Sequence, residues 1–266
     1  MLVHYHKREL LAQTFTILLP MVPSQNHIHA TSTPKGYEAI ILAGGLGTRL
    51  RSVVSDLPKC MAPVAGKPFL HYVITQLLQQ GVDKFIFSLG YMSDAIEAFL
   101  LKDFSSLSYK IVIEKNPLGT GGAIHLACQN ATNENVLVLN GDTLFVVDIA
   151  GLHLFHQQKK AACTLSLKPM KNVDRYCVVE LNAESKVMTF KEKKFYTQGL
   201  INGGVYMINC HLFSSKQFPE KFSFEKDYLE KFVGDGSFFG IEQHGYFIDI
   251  GIPEDFEKAQ LEFVGK

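Results

Sequence analysis

The chain has 266 residues, 47% of them hydrophobic and 20% charged, and its 26 Lys+Arg are balanced by 26 Asp+Glu. This is the composition of an ordinary soluble globular protein, with no basic excess for a nucleic-acid footprint and no acidic tail, so a few local cations must hold any anionic ligand. The five cysteines (Cys60, Cys128, Cys163, Cys177 and Cys210) contain no CxxC pair and read as reduced thiols of a cytoplasmic protein.

Residues 1–36 differ from the rest. The pairs His4/His6 and His27/His29 read as part of a solvated tail rather than as metal ligands. "LLAQTFTILLPMV" is too short to cross a membrane, which takes about 20 residues, so no membrane association is expected. The segment reads as a disordered extension or as the product of a start codon placed too far upstream. A secretion signal behind the basic "HKR" is the weaker alternative. Packed-looking sequence begins at Tyr37, and 37–266 reads as one domain.

From Ala39, "AIILAG" is a continuous apolar run, as expected of a strand buried on both faces. Leu70, Val73, Ile74, Leu77 and Leu78 recur at helical spacing, and Gly81 follows as a C-cap. "KFIFSLG" reads as a strand. "SDAIEAFLLKDF" reads as a helix with Ser93 as N-cap. "YKIVIEK" is a strand, "GGAIHLACQ" a helix, and "NVLVLNGD" a strand ending at Asp142. The alternation implies βαβ units in a mostly parallel sheet with helices on both sides, and ligands beyond the carboxyl ends of the strands. The second half reads as the strands "CTLSLKP", "YCVVEL", "VMTFKEK", "GGVYMIN" and "YFIDIG". Helices are expected around "SFEKDYLEKFV" and "PEDFEKAQLEFV", the latter with Pro253 in its first turn.

The stretch "LAGGLGTRLRSVVSDLPK" carries the first chemical signal. It fails as a Walker loop, because "PVAGKP" has Pro68 after Lys67. It also fails as a dinucleotide fingerprint, because Gly45-x-Gly47 is followed by Leu50 where a glycine belongs. What remains is a flexible loop followed by Arg49 and Lys59. Asp142 ends a strand in "NGD", and Asp249 sits in the otherwise apolar "FIDIG". A carboxylate so placed needs a partner. Two strand-end aspartates suit Mg²⁺, a hard ion that shares oxygen ligands with phosphates. In "FKEKK", Lys191 and Lys193 stand at period two, on one face of a strand, with Glu192 on the other. There is no Ser/His/Asp triad and no activated cysteine. The set suits transfer of a nucleotidyl group between phosphates by positioning and charge neutralisation.

These motifs resemble the sugar-1-phosphate nucleotidylyltransferases. "LAGGLGTRL…LPK", "PLGTGGAI", "NGDT", "FKEK", "LINGGVYMIN" and "YFIDIGIPEDF" stand in that family's order from about Tyr37 onward. The less common "DRY", "QGLINGG" and "KFSFEKD" are similar to its guanylyltransferases of manno-heptose 1-phosphate. The resemblance implies a Rossmann-like nucleotidyltransferase fold, a mostly parallel mixed sheet flanked by helices, with GTP and a sugar 1-phosphate as substrates and Mg²⁺ as cofactor.

Carried across, Leu42, Ala43, Gly44 and Gly45 would line the nucleoside. Gly47, Thr48 and Arg49 would hold the triphosphate, and Lys59 would neutralise charge at the reacting centre. Glu114, Gly119 and Thr120 would complete the nucleotide side. Asp142 and Asp249 would bind Mg²⁺. Lys193 would grip the sugar phosphate and Glu192 a sugar hydroxyl, with Gly141, Cys177, Asn202 and Gly203 bordering the sugar pocket.

Glu114 bears on the choice of base. Relatives that use uracil or thymine often carry an amide five residues before the glycine of "PLGT", and here that residue is a carboxylate. Guanine presents N1–H and N2–H₂ side by side, which one carboxylate accepts. Cys177 departs from the family's "DRYG" and leaves the sugar open between heptose and mannose. A thymidylyl- or cytidylyltransferase of glucose 1-phosphate, or a nucleotide-sugar sensor without catalysis, fits the residues less well. Homo-oligomerisation stays open.

Overall fold

The computed structural model describes residues 36–45, 57–90 and 92–265. The expectations for residues 1–35 and for Gly47, Thr48 and Arg49 lie outside the described residues. In chain order the strands are β1 (Tyr37–Leu42), β2 (Pro63–Val64), β3 (Lys67–Pro68), β4 (Val82–Leu89), β5 (Ser108–Ile113), β6 (Asn135–Asn140), β7 (Thr143–Phe145), β8 (Cys163–Val173), β9 (Val178–Leu181), β10 (Val187–Lys191), β11 (Tyr196–Asn209), β12 (Phe238–Glu242) and β13 (Phe247–Asp249). The helices are α1 (Phe69–Gln79), α2 (Ser93–Asp103), α3 (Gly119–Cys128), α4 (Ile149–Lys159), α5 (Cys210–Ser214) and α6 (Pro253–Glu262). A seven-residue turn of π-helix covers Phe224–Glu230.

Strands β6, β1, β4 and β5 form the parallel half of a nine-stranded mixed sheet. The long β11 runs antiparallel to β6, β8 and β9 and carries the sheet into its second half. The expected α/β architecture is therefore present. β1 shows why its sequence is continuously apolar. Ala39 and Ile41 pack into one core with residues of α1, α2, α4 and α6. Ile40 packs into a second core, on the opposite face, with residues of α3, α5 and the π turn. Burying one such side chain contributes about 1.5–3 kcal/mol, and only a strand covered on both faces gains this at successive residues.

Three sequence expectations need correction. Ser93 is the first helical residue of α2 rather than its cap, and the cap position falls on Met92, in the left-handed region with φ 58°. β10 ends at Lys191, so Glu192 and Lys193 lie in an exposed bend rather than on opposite faces of a strand. Six elements went unread: β2, β3, β7, α4, α5 and β12. α4 was hidden because its buried stripe is Ile149, Leu152 and His156, so a histidine holds a core position. His156 is satisfied there by Thr164 Oγ1 at 2.8 Å and Asn135 Oδ1 at 3.2 Å, and burial pushes its pKa down to about 4. Among the described residues, no helix is long and apolar enough to cross a membrane.

Candidate active site

A cleft of about 720 Å³ opens at the carboxyl ends of β1, β4 and β6 and against the start of α3. It is lined by Leu42, Ala43, Gly44 and Gly45 from the glycine loop, with Glu114, Gly119 and Thr120 across from them. Backbone bonds weld this mouth together: Ala43 N–H donates to Ser88 O at 2.9 Å, and Glu114 N–H to Leu89 O at 2.9 Å. Gly44 permits the close approach, since a Cβ there would stand 3.0 Å from Gly90 N and 3.2 Å from Glu114 Oε1. Glu114 is half-buried, and burial raises its carboxyl above the ordinary carboxylate value while the Leu118 N–H, donated to Oε2 at 2.8 Å, partly offsets this. One oxygen of the expected base-reading carboxylate therefore already has a backbone donor, and Oε1 lies toward Gly44.

The glycines of "PLGTGGAI" are explained by packing. Gly119 has φ +73°, and a Cβ on it would meet Phe222 O at 2.5 Å. At Gly121 the Phe222 ring would stand 2.3 Å away, and at Gly122 Glu220 O would stand 2.7 Å away. The start of α3 thus lies flat on residues 220–222. Gly119→Ala combines a left-handed backbone with a backbone clash and is expected to cost about 2–4 kcal/mol, read as a lower midpoint in urea unfolding.

Asp142 and Asp249 come together, as the sequence suggested. The β7–β13 pairing sets Asp249 opposite Thr143, and Ile250 N–H donates to Asp142 O at 3.1 Å. Lys59 sits between the carboxylates. Its Nζ donates to Asp142 Oδ2 and lies 3.8 Å from Asp249 Oδ1. Lys59 opens a single 3-10 turn, Lys59–Met61, that places it there. Asp249 also accepts from Gly251 N–H at 2.8 Å. Burial first, and the Asp142 charge second, raise the Asp249 carboxyl above the ordinary range, with Lys59 opposing them.

A second cavity, about 540 Å³, adjoins the first and shares Asn140 with it. Cys177, Glu192, Lys193, Asn202, Gly203 and Asp249 line it. Asn202 is occupied within its own strand: Nδ2 donates to Tyr206 O–H at 2.8 Å, and Oδ1 accepts from Gly204 N–H at 3.2 Å. These bonds hold the register shift of β11 between Asn202 and Tyr206. Cys177 Sγ donates to Lys191 O at 3.3 Å and is half-buried, its thiol raised chiefly by burial. Lys191 pairs with Glu180 at 2.5 Å, whereas Lys193 makes no ion pair among the described residues.

Gly141, expected at the sugar pocket, lines neither cavity. Its N–H donates to Leu42 O at 2.9 Å, and a Cβ would meet Cys60 Cβ at 3.2 Å, so it is a buried spacer that sets Asp142 in place. Sequence reasoning missed Asn140, Thr143, Tyr176, Ser223, Glu225 and Lys226, all of which line the second cavity. Tyr176 could have been read from "DRY". It stacks edge-on to Phe247 at 5.6 Å and lies beneath Arg175, which in turn pairs with Asp255 at 2.6 Å.

The family model described as Nucleotidyl transferase matches residues 38–264. The chain belongs to the nucleotidyl transferase family. Among its relatives, the D-glycero-alpha-D-manno-heptose 1-phosphate guanylyltransferase of Aneurinibacillus thermoaerophilus is 51% identical over 225 residues, covering 85% of this chain and 97% of that protein. The enzyme of the same name from Campylobacter jejuni is 41% identical, over 82% of this chain and 96% of that one. HddC from Yersinia pseudotuberculosis, solved as a complex with GMP-PN, superposes with a TM-score of 0.76 at 38% identity, over 86% of this chain and all of that one.

This nucleotidyl transferase has a donor set that fits a divalent cation. Asp142 and Asp249 offer hard carboxylate oxygens, and their mutual repulsion is part of what raises Asp249. A cation shared between them would relieve that repulsion, and with only two carboxylates it would draw further oxygens from phosphate or water.

Proposed function

We propose that this nucleotidyl transferase moves GMP from GTP to D-glycero-α-D-manno-heptose 1-phosphate, giving a GDP-sugar and pyrophosphate. The observation that carries this reading is the meeting of two cavities at Lys59, Asp142 and Asp249. The first takes the nucleotide and the second the sugar phosphate. The α-phosphorus of GTP lies at the junction. A phosphate oxygen of the sugar phosphate attacks it, a new P–O bond forms, and the bond to the β-phosphate breaks as pyrophosphate leaves.

Both reactants are anions. Two unit charges 4 Å apart repel by about 1 kcal/mol in water and about 4 kcal/mol at an effective dielectric near 20. Lys59 offsets that repulsion at the centre, Lys193 holds the sugar phosphate at the rim, and Arg49 holds the departing pyrophosphate. Charges fixed in advance need no reorganisation as the transition state forms. Asp142 and Asp249 would hold Mg²⁺, which when bound neutralises phosphate charge and polarises the α-phosphoryl group. Gly47 and Thr48 would cradle the triphosphate. Asn202 and Gly203 shape the sugar pocket through the β11 bulge, and Glu192 accepts from a sugar hydroxyl at its exposed edge.

Guanine is read by Glu114. The free lone pairs of its two oxygens accept N1–H and N2–H₂, beside the Leu118 N–H already in place. Glu114→Gln is expected to lower kcat/KM for GTP by about 10–100-fold, because a hydrogen bond to a charged group is lost, and to lower the GTP/UTP preference with it. An unchanged ratio counts against this assignment.

The identity and coverage of the heptose 1-phosphate guanylyltransferases support manno-heptose as the sugar. Mannose 1-phosphate, which lacks the extension at C6, is the second reading, and Cys177 in the sugar cavity keeps it in play. Catalysis is assigned to residues 37–266, in the cytoplasm, where GTP is available and thiols stay reduced. The GDP-sugar is a donor for surface glycan assembly. The test is pyrophosphate release from GTP with and without heptose 1-phosphate. Direct displacement requires both substrates, and a stoichiometric burst from GTP alone would indicate a covalent intermediate and contradict it.

A further inference from the structure

The nucleotide cavity and the sugar cavity are joined a second time, away from the aspartates. Thr120 lines the first and Glu225 the second. They are 105 positions apart in sequence, yet Thr120 Oγ1 donates to Glu225 Oε2 at 2.9 Å. The same oxygen accepts from Ser223 Oγ at 3.1 Å. Thr120 Oγ1 in turn accepts from Phe224 N–H at 2.9 Å, and Ser223 Oγ accepts from Lys226 N–H at 3.2 Å. Backbone bonds close the clip: Phe222 N–H to Leu118 O and Gly121 N–H to Phe222 O, each at 3.0 Å.

Two hydroxyl donors converge on Oε2 and fix the rotamer of a half-buried carboxylate. Oε1 accepts no hydrogen bond among the described residues, although the side chain lines a cavity with Asn202, Tyr206 and Lys226. A carboxylate pinned by one oxygen is prepared to accept with the other. The partners in that cavity that carry O–H groups are the sugar hydroxyls, because the phosphate end brings only acceptors. Glu225 and Tyr206 line the same cavity, and the Tyr206 phenol is raised by burial first and by the Glu225 charge second.

We propose that Glu225 is a specificity-determining contact that accepts a hydrogen bond from a hydroxyl of the sugar 1-phosphate. Thr120 is the positioning residue that sets it from the nucleotide side. The proposal rests on the two-cavity reading above. It assigns to the stretch "SFEKD" a part in sugar selection distinct from that of Glu192, Lys193 and Asn202.

The test is a steady-state comparison of wild type, E225Q, T120V, T120S and S223A with GTP and heptose 1-phosphate, each folded protein checked by thermal unfolding. E225Q keeps the volume but replaces one acceptor with a donor. It is expected to raise KM for the sugar phosphate about tenfold, well beyond any change in KM for GTP. T120V is expected to raise the same KM about threefold, and T120S to restore it. Equal changes in the two KM values, a change confined to GTP, or no change in either, overturns the proposal. Failure of both E225Q and S223A to fold makes the carboxylate a packing element and overturns it as well. A wild type that releases no pyrophosphate from GTP with any sugar 1-phosphate overturns the functional reading first, so the two failures are told apart.

Discussion

Asp142→Ala is expected to lower kcat by about 10³-fold, since charge stabilisation by a carboxylate-held cation is worth several kcal/mol and each 1.36 kcal/mol is tenfold. The fold should tolerate the change. Asp142 keeps some solvent exposure, and Lys59 retains Asp249 as a partner at 3.8 Å. Loss of a partly exposed pair of this kind costs about 0–1 kcal/mol. Removing Asp142 also removes a charge that raises Asp249, so the remaining carboxyl moves back toward its ordinary value. Turnover measured beside thermal unfolding checks this. A large drop in kcat at nearly unchanged stability is the expected pair of results. A drop in stability that accounts for the whole loss of activity would assign Asp142 to the scaffold.

Lys59→Met is the second large effect. Removing one preorganised positive group from a transition state that develops negative charge is expected to cost about 10²–10³-fold in kcat. The substitution also leaves Asp142 and Asp249 facing one another with no cation between them. The Asp249 carboxyl, already raised by burial and by Asp142, loses the group that opposes both. A carboxyl whose folded pKa lies above its unfolded value binds its proton more tightly in the folded state. The variant is therefore penalised little in acid, and the penalty grows as pH rises through the folded value of Asp249. Thermal unfolding of wild type and variant across that range should show the gap widening upward. A gap that narrows as pH rises contradicts the arrangement.

Much of the fold was legible because local and global preferences agree. The run "AIIL" reads as a strand covered on both faces, and Ala39, Ile40 and Ile41 are shared between two cores on opposite faces of β1. Asp142 and Asp249 were legible as candidates because one follows an apolar strand and the other ends one, and a carboxylate so placed needs a partner. Other features were hidden for identifiable reasons. α4 buries His156 where an apolar residue would have completed the pattern. Lys193 has the spacing of a strand residue, but β10 stops at Lys191, and backbone termination leaves no mark in a charge pattern. Gly141 was expected at the border of the sugar pocket, yet it is a spacer against Cys60 and Leu42. Glu225 lies in a stretch that reads only as a helix. Its hydroxyl partner Thr120 comes from the other half of the chain, and only the packing of α3 onto 220–222 brings the two together.

The most direct measurement is pyrophosphate release by the wild-type chain with four nucleoside triphosphates crossed against heptose 1-phosphate, mannose 1-phosphate and glucose 1-phosphate. The account predicts the highest kcat/KM for GTP with D-glycero-α-D-manno-heptose 1-phosphate, with mannose 1-phosphate next and UTP far behind. Preferred turnover of UTP or TTP with glucose 1-phosphate, or none with any pair, would contradict it.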